Sequence, residues 1–199
     1  MKLIYRLFIL VLVLVSLPIM VVIAAISIIA SGFLVFFKQE RTGKNEKSFT
    51  MYKFRTMVNN AEKIKARYKK MDEANGPVFK IRNDPRFTSF GKFLSHTGLD
   101  ELPQLVNVLK GDMGLIGPRP LPVDEAKKLK SWQRKRHSIK PGIISPWILN
   151  GYHSQSFDDW IKSDIEYIKN KTVWTDVKLS IKAILFLVEL FVSELRDFL

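Results

Sequence analysis

A chain of 199 residues accommodates one modest domain with an appendage. It contains no cysteine and only three scattered histidines, His96, His137 and His153, which excludes a disulfide framework and leaves poor material for a zinc site. The net charge of +13 calls for an acidic partner: nucleic acid, anionic lipid or a phosphorylated substrate. No nucleic-acid-binding motif is present, and a long apolar stretch near the amino terminus favours the membrane instead.

That stretch runs from Leu7 to Phe37 without a charged residue. It exceeds the roughly 20 residues needed to cross a bilayer. Ala30-Ser31-Gly32 would serve as a cleavage site, but a signal peptide has an apolar region of only about 7–15 residues. Two readings stand open. One is a spanning helix; the other is a broken helix that enters and leaves the same face. Pro18 interrupts the hydrogen-bond ladder near the middle, and Ser16 can satisfy a freed carbonyl. Lys2 and Arg6 precede the run; Lys38, Arg41, Lys44 and Lys47 follow it, which favours a cytoplasmic carboxyl side.

Val35–Gln39 and Phe49–Met57 are rich in aromatic and β-branched residues and flank the turn-prone Thr42–Asn45, so they predict a β-hairpin. From Asn59 to Met71 the spacing predicts a basic amphipathic helix with Ala61, Ile64, Tyr68 and Met71 on one stripe. Such a helix packs on the domain or lies in the bilayer interface. Asn75-Gly76-Pro77 is a loop, Val78–Arg82 a short strand, Asn83–Arg86 a turn.

The most informative stretch is Thr97-Gly98-Leu99-Asp100-Glu101-Leu102-Pro103-Gln104-Leu105. Leu102, Leu105, Val106 and Leu109 recur at helical spacing, and Gly111 follows as a helix-ending glycine. Pro103 fits only the first turn, which places Asp100 and Glu101 at or near the helix amino terminus. Acidic residues there commonly act as caps. They can also do chemistry: a carboxylate attacks phosphorus to give an acyl-phosphate, and one or two carboxylates with phosphate oxygens hold Mg²⁺. Further on, Asp124–His137 reads as a helix with a basic end. Trp174 opens a last helix, whose run Ile184–Val188 is apolar nearly all round and is therefore buried or in contact with lipid. There is no internal repeat.

Leu99–Leu105, with Gly111-Asp112-Met113 and Gly117-Pro118-Arg119-Pro120, closely resembles the signature of the bacterial sugar transferases known as monotopic phosphoglycosyl transferases. Gln39–Gly43, Lys53–Met57, Gly76–Leu94, Lys140–Ile143 and Phe157–Tyr167 extend the resemblance over most of the chain. It implies an α+β, mostly helical fold: a re-entrant membrane helix in residues 1–37, then a cytoplasmic domain in residues 38–199 with a small β-hairpin and amphipathic interfacial helices. The helix break would fall at Ser16 and Pro18, where the family's Ser-Pro is here Ser16-Leu17-Pro18.

The implied reaction moves a sugar-1-phosphate from a UDP-sugar to undecaprenyl phosphate at the cytoplasmic face of the bacterial inner membrane. It would begin the assembly of a capsule, exopolysaccharide or glycan and pass its product to downstream glycosyltransferases. By position, Asp100 is the nucleophile, Glu101 helps hold Mg²⁺ with it, and Lys53, Arg55, Arg119 and Lys140 face phosphates. The chain departs from the pattern at three places. Ser95 stands five residues before Asp100 where many relatives carry arginine, Ile144-Ser145 replaces Thr-Gly, and Gly151-Tyr152 replaces Gly-Arg. His96, Lys140, Arg134 and Arg136 are candidate compensating cations. The same departures support an alternative, a catalytically impaired membrane-bound relative serving as an interaction or regulatory subunit.

Overall fold

The structure, a computed structural model, describes residues 3–32, 34–74, 76–150 and 156–198. Its first element, α1, spans Leu3–Ser31, and it is long and apolar enough to cross a membrane. The β-hairpin follows as β1 (Phe36–Thr42) and β2 (Ser48–Phe54), antiparallel in register from Phe36 opposite Phe54 to Thr42 opposite Ser48. Then come the short α2 (Ala61–Ile64), α3 (Ser89–Thr97), α4 (Gln104–Lys110), β3 (Gly114–Ile116), α5 (Val123–Ala126), β4 (Gly142–Ile144), α6 (Phe157–Lys169) and α7 (Val173–Phe198). The fold is thus mostly helical with little sheet, as expected.

Three clusters of side chains hold these elements. Ile9 of α1 meets Val108 and Met113, with Tyr5, Leu12 and Val13 around them. Ile23 of α1 meets Val35, Phe54 and Leu94, with Met20 and Ala24 alongside. Leu121, Ala126, Leu129, Trp147, Phe157, Trp160 and Ile161 form the third, under α6. Both halves of α1 therefore pack on the same globular body. Tyr5 Oη also accepts a hydrogen bond from the Leu115 N–H at 3.2 Å. The opposite face of α1 is bare, with Ile4, Leu7 and Val15 exposed.

α1 continues as helix through Ser16 and Pro18, the positions where the break was expected. Proline removes one ladder bond; the Ile9 cluster lies before it and the Ile23 cluster after it. Ser16 Oγ donates to the Val13 carbonyl at 3.0 Å, within the preceding turn.

Three other elements differ from the sequence reading. The 59–71 helix is only the single turn α2 followed by a 3-10 stretch, Lys65–Met71, whose Ala61, Ile64 and Tyr68 are half-buried on the domain. Val78–Arg82 is no strand, because carboxylates take its N–H groups: Phe79 donates to Glu125 at 3.4 Å and Lys80 to Asp72 at 3.0 Å. The 124–137 helix reduces to α5 and a 3-10 turn, Gln133–Ser138.

The parallel pair β3–β4 was not foreseen. Gly114 lies opposite Gly142 and Ile116 opposite Ile144. The approach is too close for a side chain, since a Cβ at Gly142 would fall 2.1 Å from the Gly117 nitrogen. This pair launches the Gly117–Pro120 turn, which carries Arg119. The last helix, α7, packs against α3 while Ile184, Leu185 and Val188 stay exposed, so its apolar run is not core.

Candidate active site

Thr88 caps α3 by accepting the Gly91 N–H at 3.0 Å, and Gly98 ends the helix in the left-handed region at φ 72°. That reversal needs glycine. A 3-10 turn over Leu99–Glu101 follows, then α4 with Pro103 at its amino-terminal boundary. Leu99 and Leu102 pack into the cluster around Phe54 and Leu94, which fixes the turn. Asp100 and Glu101 thus sit on the turn leading into α4, ahead of the helix itself. Neither makes a side-chain cap to the helix.

Lys53 reaches the pair from β2. Its Nζ lies 3.2 Å from Asp100 Oδ2 and 2.8 Å from Glu101 Oε1. Arg119 Nη2 donates to the same Glu101 Oε1 at 2.6 Å. The four groups form one network assembled from three separate segments. Asn107, fully buried, locks α4 to β2 and so sets the Lys53 position: its Oδ1 accepts from the Tyr52 N–H at 3.1 Å and its Nδ2 donates to the Thr50 carbonyl at 2.7 Å.

The Arg119 turn is held by two arginines, Arg136 buried and Arg41 partly buried. Arg136 donates to the Arg119 carbonyl at 2.7 Å and forms a two-pronged ion pair with Asp164 Oδ2 at 2.6 and 3.0 Å. Arg41 donates to the Pro120 carbonyl at 2.9 Å. Burial, followed by the neighbouring Arg119, lowers Arg41 to about 10. A guanidinium packed beside another guanidinium marks this corner as strongly cationic.

Of the other anticipated residues, Arg55 is not brought to the pair; it bonds the Leu34 and Phe36 carbonyls at the base of the hairpin. Lys140 is exposed and lies over Gly111, at the opposite end of α4 from the acidic residues. Among the compensating cations, Arg136 is committed to Asp164, Arg134 pairs with Glu46 at 2.8 Å, and His96 meets Glu194 at 2.8 Å. Tyr152 and Lys2 lie outside the described residues. Sequence reasoning missed Asn107 and Arg41 as supports, and Asp164. Asn107 and Asp164 are buried and Arg41 is partly buried; the sequence signal for Asn107 is a polar residue in an apolar stretch.

The two carboxyls are driven apart. Burial pushes Asp100 up from the ordinary carboxylate range, Lys53 opposes this, and the Glu101 charge adds to it. For Glu101 burial acts in the same sense, but Arg119 and Lys53 overrule it and bring the group down to about 2. Glu101 is therefore a fixed anion, whereas Asp100 keeps its proton to higher pH.

Glu101 and Arg119 line a cleft of about 1440 Å³. One of its walls carries Lys80 and Trp147; another carries Phe93 of α3 and Leu187 of α7. The volume exceeds the roughly 300–1,000 Å³ of ordinary ligand pockets. As to Mg²⁺, the described hydrogen bonds engage only Oδ2 of Asp100 and Oε1 of Glu101. Each carboxylate thus keeps a second oxygen for a hard cation, which needs few protein ligands when phosphate and water complete its shell.

The chain is similar to several named proteins. The galactosyl transferase CpsE of Streptococcus agalactiae is 44% identical over 149 residues, covering 74% of this chain and 33% of the relative. The undecaprenyl-phosphate galactose phosphotransferase of Salmonella typhimurium is 38% identical over 159 residues, covering 76% and 33%. The exopolysaccharide production protein ExoY of Rhizobium meliloti is 31% identical over 171 residues, covering 84% and 76%. The chain spans about a third of the length of the first two relatives. The profile of the bacterial sugar transferase family matches residues 2–189, nearly the whole sequence, and the chain belongs to that family.

Proposed function

We propose that this chain is a phosphoglycosyl transferase. It moves a hexose- or N-acetylhexosamine-1-phosphate from a UDP-sugar to undecaprenyl phosphate, at the cytoplasmic face of a bacterial membrane. The names of its relatives support the substrates: one is an undecaprenyl-phosphate galactose phosphotransferase, another a UDP-glucose:undecaprenyl-phosphate glucose-1-phosphate transferase. The observation that carries the reading is the Asp100–Glu101 pair bridged by Lys53 and Arg119 beside the cleft.

The ionised Asp100 carboxylate attacks the sugar-bearing phosphorus. The bond from that phosphorus to the bridging oxygen breaks, and UMP leaves with the electron pair. An aspartyl-phosphosugar remains. A phosphate oxygen of the lipid carrier then attacks the same phosphorus, and Asp100 leaves as a carboxylate. The product is a lipid diphosphosugar. One site thereby serves a water-soluble donor and a membrane-bound acceptor in turn. Lys53 steadies Asp100 in its ionised form, and Arg119 faces the charge that develops on the phosphoryl oxygens. Asp100 and Glu101 would hold Mg²⁺, which supplies charge neutralisation on the diphosphate. The helix α1 lies in the membrane with both ends on the cytoplasmic side.

The test is release of UMP from a panel of UDP-sugars by the full chain, with undecaprenyl phosphate present. Asp100→Asn lowers it by at least about 10³-fold, the scale of losing a nucleophile. Unchanged release from Asp100→Asn removes Asp100 from the chemistry. Ser95, which lines the cleft, favours the second reading, a non-catalytic relative. No turnover by the unmodified chain with any UDP-sugar would support that one.

A further inference from the structure

Three features of the cleft lie around Arg119, the residue that also contacts Glu101. The first is Lys80. Its backbone is pinned on both sides: its N–H donates to Asp72 Oδ1 at 3.0 Å, and its carbonyl accepts from the Glu73 N–H at 2.8 Å. Its ammonium lies 5.4 Å from the centre of the Trp147 ring, and that ring stacks on Trp160 at 4.2 Å. A long, mobile side chain is thereby presented from a fixed root against a rigid aromatic floor.

The second feature is the electrostatic setting. Burial lowers Lys80 to about 8, and the next largest cause is the positive charge of Arg119. The Glu73 carboxylate opposes that lowering, and Arg119 is itself paired with Glu101. Lys80 and Arg119 line the same cleft, so a multiply charged anion entering it meets both cations.

The third is Ser145, at the end of β4. It is 1% exposed, it lines the cleft, and its Oγ has no hydrogen-bond partner among the described residues. A buried hydroxyl left unpaired costs stability unless something bonds it. Its neighbour Ile144 accepts the Gly117 N–H at 3.0 Å, which places Ser145 beside the turn that carries Arg119.

We propose that Lys80 and Ser145, together with Arg119, form the subsite that binds the diphosphate of the nucleotide donor. Lys80 supplies a second cation and Ser145 a hydroxyl donor to phosphate oxygens. The assignment rests on the reading of the chain as a UDP-sugar transferase, and it deepens that reading by naming residues for the donor. The corner suits the donor because its walls are polar and aromatic. The wall formed by Phe93, Phe186, Leu187 and Leu190 is apolar instead and suits the prenyl acceptor.

The experiment measures UDP binding to the full chain in nanodiscs by calorimetry, and sugar-phosphate transfer separately. Lys80→Gln weakens UDP binding by about tenfold or more, the usual scale of a charged contact, and Lys80→Arg restores it. Ser145→Ala, which removes only an unpaired hydroxyl and leaves the fold intact, weakens it by about threefold or more. Binding by the unmodified chain falls as pH rises through about 8, where Lys80 loses its proton, and Lys80→Arg carries full binding to higher pH. The KM for undecaprenyl phosphate stays unchanged in all three variants.

UDP binding that is indifferent to both Lys80→Gln and Ser145→Ala overturns the proposal, as does absence of UDP binding by the unmodified chain. A rise confined to the KM for the lipid acceptor overturns the donor assignment. UDP binding that depends on Lys80 without any transfer leaves the subsite standing and removes the proposed reaction.

Discussion

Lys53 lies on β2 and Arg55 one residue past its end, and only Lys53 meets the acidic pair. Arg55 falls where the hairpin closes and bonds the Leu34 and Phe36 carbonyls instead. Which of two adjacent cations reaches a site depends on where the strand pairing stops, and the residue pattern does not show that. At Asp100 the balance of burial against the Lys53 charge has a consequence for rate. In the proposed reaction the carboxylate attacks only when ionised, and burial holds its proton on above the ordinary carboxylate range. Transfer therefore rises with pH through an acid limb set by Asp100. Lys53→Met removes an opposing charge, so that limb moves to higher pH, and kcat falls by about 10²-fold. The measurement is the pH profile of kcat/KM for the two proteins. A limb that stays in place or moves to lower pH contradicts the role given to Lys53.

Among the elements, α1 was legible in length and apolarity. A serine and a proline near its centre suggest a break, and the helix continues through Pro18 with packing contacts before and after it. Because Tyr5 and Ile23 both touch the globular body, the helix runs alongside the domain, which is hard to reconcile with a helix projecting alone across the bilayer. The absence of cysteine allows a direct test in single-cysteine variants of the whole chain. Lys2→Cys and Lys38→Cys are both labelled by a membrane-impermeant reagent from the cytoplasmic side alone. Periplasmic labelling of Lys2→Cys shows a spanning helix. The hairpin was legible because its alternation and turn residues agree. The 78–82 segment was misread as a strand because side-chain carboxylates replaced the missing partner strand. The β3–β4 pair was missed because three-residue strands carry almost no pattern.

In the molecule as a whole, the active corner joins β2, the turn before α4 and the turn after β3. Residues 47 and 18 positions apart in sequence thus become hydrogen-bonded neighbours. Composition and periodicity gave the acidic pair a place at a helix start but no partners. The resemblance pointed to Lys53 and Arg119, and the packing of Asn107, Arg41 and Arg136 explains why they converge. In the proposed reaction the excess of positive charge would serve both ends, an anionic donor in the cleft and the phosphate of a lipid. The central claim is that Asp100 carries the sugar phosphate covalently between them. The direct measurement is the intact mass of the full chain after incubation with a UDP-sugar in the absence of lipid acceptor, followed by peptide mapping. The account predicts a mass increase of one sugar phosphate on Asp100, lost when undecaprenyl phosphate is added. UMP release without any adduct, or an adduct on a different residue, contradicts it.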